Sequence, residues 1–253
     1  MMTWVKVRAL AMFYVHYLNI QLKKSFYFLL FAVGFLHSMQ AVAQPVKWDS
    51  TAVPDVYLSQ VELFNALPHS KKDIVFLGNS ITFWGKWDAL FRTSRIRNRG
   101  IGGDITFGVL RRLDEVINGK PAKVFILIGI NDLGRNIPDS VILRNCKRMV
   151  QRIKTGSPNT RIYLQTLLPT NESFNKLKHL YNKEAHIRNI NQELKRISEQ
   201  ENVTWVDLHS HFVDENGRMK KEYTWDGVHL TLAGYRNWAK VLHDGGYIKA
   251  KLR

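Results

Sequence analysis

Ser80 stands where an apolar run ends. In "IVFLGNSITF" (74–83), β-prone residues give way to Gly78, Asn79 and Ser80, and the glycine lets the backbone turn sharply. The carboxyl end of a buried strand is where parallel α/β sheets place their chemistry. Serine is also a favoured helix N-cap, so this stretch alone leaves a nucleophile and a cap both open. Two more stretches follow strand candidates, "NRGIGGD" (98–104) and "GIND" (129–132), and a third, "DGVHL" (226–230), lies near the C-terminus. A nucleophilic serine needs a base, an imidazole needs an acid to hold its tautomer, and an ester's tetrahedral intermediate needs donors aimed at its oxyanion. Together the four stretches hold groups for all three needs. Singly, each has a structural reading: Asp226 as a turn or cap residue, His229 as a satisfied polar side chain, Gly100, Gly102 and Gly103 as a tight turn, and Asn131 as an Asx-turn. Asp132 reads as structural, bonding neighbouring loops.

The elements that must position these residues alternate. Strand candidates are 73–78, a short 95–98, 123–129, 161–168 and 203–209; helical patterns lie near 84–92, 106–118, 139–155, 183–201 and 232–243. Near-continuous apolar strands separated by amphipathic helices imply a parallel sheet covered on both faces, with right-handed crossovers. The lead-in at 44–70 is extended or helical. One long loop, "PTNESFNKLKHLYNK" (169–183), is placed to cover a site at the sheet's carboxyl edge.

With "GNSIT", "RGIGGD", "GIND" and "DGVHL" in this order and at ordinary spacing, the chain resembles the SGNH hydrolases, the GDSL esterase and lipase family, over roughly residues 55–245. The resemblance implies an α/β fold: a three-layer α/β/α sandwich with a parallel five-stranded sheet, flavodoxin-like. It implies Ser80 as nucleophile, His229 as base and Asp226 as its orienting acid. The N–H groups of Ser80 and Gly103 and the side chain of Asn131 would be the oxyanion donors. Asn79 stands where the family name calls for Asp, but that position is not the triad acid. The G-x-S-x-G elbow of ordinary α/β-hydrolases is absent, since Thr82 follows Ile81. "RGIGGD" is most similar to the branch of platelet-activating-factor acetylhydrolase-like proteins and carbohydrate acetylesterases. The implied activity is removal of a short acyl group, acetyl first, from a carbohydrate, with no metal or organic cofactor. Alternatives are a lysophospholipase or thioesterase for longer chains, and a non-catalytic cell-envelope sugar-binding module.

Trp84 and Trp87, just after Ser80, could stack on a sugar or wall an acyl pocket, with core packing as the competing reading. "YTW" (223–225) could shield the Asp226–His229 pair from water. Asp207, His209 and His211 in "DLHSH" would share a face if extended, as metal ligands sometimes do; no other ligand cluster accompanies them, and a solvated strand end is the default.

The chain has 253 residues, 45% of them hydrophobic, and a formal charge of +16, enough to build a single core with a basic surface. No RNA-binding or zinc-finger signature accompanies the charge, so nucleic acid is not expected as a partner. Residues 1–43 read as a targeting segment: Lys23-Lys24, the apolar run 25–36, and the small residues Ala41 to Ala43 before Gln44. The A-x-A pattern favours a cleaved secretory signal over a retained anchor, so the protein is expected to be exported, periplasmic or extracellular, or else membrane-associated through its N-terminus. The catalytic domain then spans 44–253. The single Cys146 excludes an internal disulfide framework and reads as a buried hydrophobe.

Overall fold

The computed structural model describes residues 12, 14, 16–24 and 48–252. The chain divides into two compact units, Met1–Lys47 and Trp48–Arg253. In the first, residues 16–24 are helical and exposed. The apolar run and small-residue pattern expected to act in targeting (25–43) lie outside the described residues. Among the described residues no helix is long and apolar enough to cross a membrane.

The second unit is built on five parallel strands: β1 (Ile74–Gly78), β2 (Ile96–Gly100), β3 (Lys123–Leu127), β4 (Arg161–Gln165) and β5 (Thr204–Val206), in the spatial order β2-β1-β3-β4-β5. Every residue of β3 is buried, which requires cover on both faces. On one face Phe76, Phe125 and Tyr163 stand side by side in register, with ring centroids 5.1 and 4.3 Å apart. Trp87 stacks on Phe76 at 4.2 Å, and Trp238 of the last helix meets Trp87 edge-on at 4.6 Å. This order reverses direction between β1 and β3, the point where such sheets open a crevice at their carboxyl ends. Gly78 pairs with Gly100 on one side and with Leu127 on the other, so the three loops after β1, β2 and β3 leave the sheet at one level.

The long helices match the periodicity closely: α7 (Asp139–Gly156) and α8 (Glu184–Glu201) pack on each other, and α9 (Leu232–Asp244) carries Trp238. The lead-in contains α1 (Tyr57–Ala66). Two expected helices are broken. In place of 84–92 there are two short ones, α2 (Ser80–Phe83) and α3 (Trp87–Leu90), separated where Gly85 gives way to the Trp87 ring; a Cβ on Gly85 would lie 2.3 Å from that ring. In place of 106–118 there are α4 (Thr106–Arg111) and α5 (Leu113–Gly119), hinged at Arg112, whose guanidinium is drawn inward by acceptors described below.

Candidate active site

The turn after β1 is tight because Gly78 has no side chain. A Cβ there would lie 2.3 Å from both Leu127 O and Thr82 Oγ1. Asn79 then caps α2, its Oδ1 accepting from Ile81 N at 3.0 Å. The cap is therefore Asn79, and Ser80, as the first helical residue, keeps its hydroxyl for another partner. That partner is His229, whose Nε2 lies 2.8 Å from Ser80 Oγ. Nδ1 of the same ring lies 2.6 Å from Asp226 Oδ2. A carboxylate only accepts, so Nδ1 carries the proton and Nε2 presents its lone pair to the serine hydroxyl.

Asp226 is held by its own turn and by the long loop. Its Oδ1 accepts from Val228 N at 2.9 Å and His229 N at 2.7 Å, and its side chain is 3% exposed. Gly227 has φ +87°, and a Cβ on it would meet Asn171 O at 2.2 Å. Asn171 N donates to Gly227 O at 2.9 Å, and Tyr181 OH donates to Asp226 O. Residues 169–183 thus clamp the turn that carries the carboxylate and the imidazole. The last helix is capped independently, by Thr231 Oγ1 accepting from Gly234 N.

Donors come off the neighbouring strand ends. The N–H groups of Ser80 and of Gly103 (φ +79°) have no hydrogen-bond partner among the described residues. Asn131 Nδ2 donates one hydrogen to Asp104 O at 2.9 Å, which leaves the second for a ligand. Beneath this loop lies a buried ion pair. Arg112 Nη2 is 2.9 Å from Asp104 Oδ2 and donates to Gly78 O at 3.0 Å. Burial pushes the Asp104 carboxyl up and the Arg112 charge opposes the shift. One guanidinium therefore ties the turn before Ser80 to the loop that follows Gly103, and Asp104 O in turn holds Asn131. Nothing in the spacing of the sequence marks Arg112 for this; its position in the second half of a helical pattern hides it.

Asp132 bonds neighbouring loops as expected. Its Oδ1 and Oδ2 each accept from Thr106 N at 3.1 Å, and Oδ1 accepts from Thr106 Oγ1 at 2.6 Å. Burial pushes its carboxyl up to about 7. Its charge and, more strongly, burial push the Cys146 thiol up to about 12, in keeping with an inert hydrophobe.

A trough of about 760 Å³ is walled by Trp84, Leu90, Trp225, Leu230, Leu232 and Tyr235; Ser80 and His229 do not line it, and Trp225 is its link to the imidazole. Trp225 lies flat on the His229 ring, centroids 5.3 Å apart and planes 16° apart. Tyr235 OH donates to Ile81 O at 2.8 Å, pinning one wall to α2.

A model of the GDSL-like Lipase/Acylhydrolase family matches residues 76–236. This chain belongs to that family. Platelet-activating factor acetylhydrolase IB subunit alpha2 of Rattus norvegicus and of Homo sapiens are each 31% identical over 179 residues, which cover 68% of this chain and 75% of the relative. A solved Streptococcus pneumonia protein described as a candidate platelet activating factor is 32% identical with TM-score 0.69, covering 85% of this chain and 98% of that one. A GDSL-like lipase from Bacteroides thetaiotaomicron is 25% identical with TM-score 0.65, covering 75% and 96%. The chain is a carboxylic ester hydrolase with the fold of these GDSL proteins.

Two expectations for this GDSL hydrolase need correction. Trp87 does not line a substrate pocket: it is 1% exposed, stacked on Phe76, with Nε1 donating to Thr82 O at 2.9 Å. Trp84, 55% exposed, remains at the trough. Asp207, His209 and His211 do not alternate along a strand, because β5 ends at Val206 and 209–211 form a 3₁₀ turn. Among the described residues no three His, Cys, Asp or Glu side chains converge as metal ligands. Trp225 was visible in the sequence as a shield for the ion pair; that it also walls a trough follows from its being half exposed beside Leu230 and Tyr235.

Proposed function

We propose that this hydrolase removes a short acyl group, acetyl first, from a hydroxyl of a carbohydrate, through Ser80, His229 and Asp226. The observation that carries the reading is the unbroken chain Asp226 Oδ2–His229 Nδ1 (2.6 Å) and His229 Nε2–Ser80 Oγ (2.8 Å). Ser80 Oγ attacks the ester carbonyl as His229 Nε2 takes its proton, and Asp226 stabilises the imidazolium. The N–H groups of Ser80 and Gly103 and the free amide hydrogen of Asn131 receive the oxyanion. The tetrahedral intermediate collapses, His229 protonates the departing alkoxide, and the acyl group stays on Ser80. A water then gives its proton to His229 and attacks the acyl-enzyme, releasing the acid.

The acetyl preference is supported by the acetylhydrolase relatives at 31% identity. The carbohydrate part is supported by the exposed indoles of Trp84 and Trp225 in the trough wall, a residue type suited to stacking on a sugar ring. Ser80→Ala is expected to lower turnover of a chromogenic acetate by about 10³-fold or more with an unchanged melting temperature, as triad members act as one unit. Near-normal turnover would sink the assignment. The trough is apolar enough to raise a second reading, a lysophospholipase or thioesterase. An apolar groove adds about 0.8 kcal/mol of binding per methylene, so kcat/KM rising steadily from acetate through butyrate to octanoate would favour it; a fall along the series supports acetyl.

A further inference from the structure

The trough also carries charge. Lys86 and Arg236 line it, both exposed, and no acidic residue does. Neither is ion-paired among the described residues, in contrast to Arg97, Arg99, Arg112 and Arg152, each of which meets a carboxylate. A third cation, Lys176, does not line the trough but lies close to its wall, with Nζ 5.8 Å from the Trp225 ring centre and donating to Trp225 O. Cations left unpaired beside exposed Trp84, Trp225 and Leu232 make a surface that is apolar in the middle and positive at its margin.

The chemistry of the reaction says which half of the substrate meets this surface. His229 hands its proton to the leaving oxygen, so the alcohol half lies on the imidazole's side, and Trp225, the trough's wall, is stacked on that imidazole. Resting on the esterase reading above, we propose that the trough binds an acidic sugar, a pyranose bearing a carboxylate, with its ring between Trp84 and Trp225 and its carboxylate at Lys86 and Arg236. Arg236 supplies the planar fork that fits a carboxylate, and Lys86 a point charge. The two indoles in the trough's wall offer flat faces of the kind that stack on a pyranose ring, which favours a sugar over a lipid headgroup as the source of the charge. The surplus of positive charge extends beyond the trough. Residues 1–43 contribute four Lys or Arg and no acid, so 44–253 hold 33 basic against 21 acidic side chains, a field that would draw polyanionic glycans to the site.

The test compares O-acetylated trigalacturonate with O-acetylated xylotriose. The full-length enzyme is expected to show KM about tenfold or more lower for the acidic ester at low salt, a selectivity that high salt erodes. In Lys86→Gln/Arg236→Gln the ratio of the two KM values should fall to about one. Independently of turnover, unacetylated trigalacturonate should change tryptophan emission of the wild-type chain, and this response should weaken in the double variant. A ratio near one in the wild type, or a ratio that survives the double substitution, overturns the proposal. Stronger competition by 1-acetylglycerol 3-phosphate than by trigalacturonate overturns it in favour of a phosphate-bearing lipid. If none of these esters is hydrolysed while chromogenic butyrate or octanoate is, the acetylesterase reading fails; the emission titration still decides the trough.

Discussion

Asn131 spends one amide hydrogen on Asp104 O and holds the other in reserve, so its side chain is oriented before any substrate arrives. On the proposed mechanism, a donor fixed in this way would favour charge that develops in the transition state. Asn131→Ala is therefore expected to lower kcat by about 10²–10³-fold with a smaller change in KM; a change confined to KM would mean that Asn131 only positions substrate. Its neighbour Asp132 makes a different prediction. With the folded carboxyl raised to about 7 against a usual value of 3.8, the folded state keeps a proton that the unfolded chain has lost between those two pH values. Stability from this group is full below pH 3.8 and is lost as pH rises through about 7. Thermal melts of Asp132→Asn across this range should show the variant gaining on the wild type as pH rises; a constant difference would mean the carboxyl is ionised throughout. Ser80, Gly103 and Asn131 could be picked from the sequence because each follows a strand candidate, and Asp226 and His229 because their three-residue spacing completes the fourth block of the family resemblance. Trp87 could not, since its depth depends on meeting Phe76 and Trp238, and the latter is about 150 residues away along the chain.

At the scale of elements, the strands were legible from apolar runs, and their ends were not. The run 123–129 continues as apolar sequence, yet β3 stops at Leu127 because Gly129 adopts φ +140° and Ile130 opens α6 (Ile130–Gly134). The run 161–168 likewise outlasts β4, since Leu167 N and O turn to the side chain of Asn191 instead of the ladder. The break between α4 and α5 was hidden for another reason: it exists so that Arg112 can reach Asp104 and Gly78 O. Arg112→Met leaves the Asp104 carboxylate buried without its partner, and is expected to cost about 3–5 kcal/mol. Denaturant melts measure this, and activity should fall too, because the same guanidinium holds the loops on both sides of Ser80. A loss below about 1 kcal/mol would mean that water readily replaces the ion pair.

For the whole molecule, the N-terminal pattern leads us to propose export with cleavage before Gln44. The mature protein recovered from an exporting host should begin at Gln44 by N-terminal sequencing, and recovery of an intact chain in the membrane fraction would point to a retained anchor. The sheet's parallel order also has a consequence in time. Ser80 and His229 lie 149 residues apart, and all five strands are complete by Val206. On the proposed mechanism, a chain made only that far lacks both its base, His229, and Trp238, which closes the core over Phe76 and Trp87. On that mechanism, ester turnover is expected to return on refolding no earlier than the ellipticity of the packed aromatic core. Until the clamp of Asn171 and Tyr181 closes on the Asp226 turn, the proposed base has no fixed place beside Ser80.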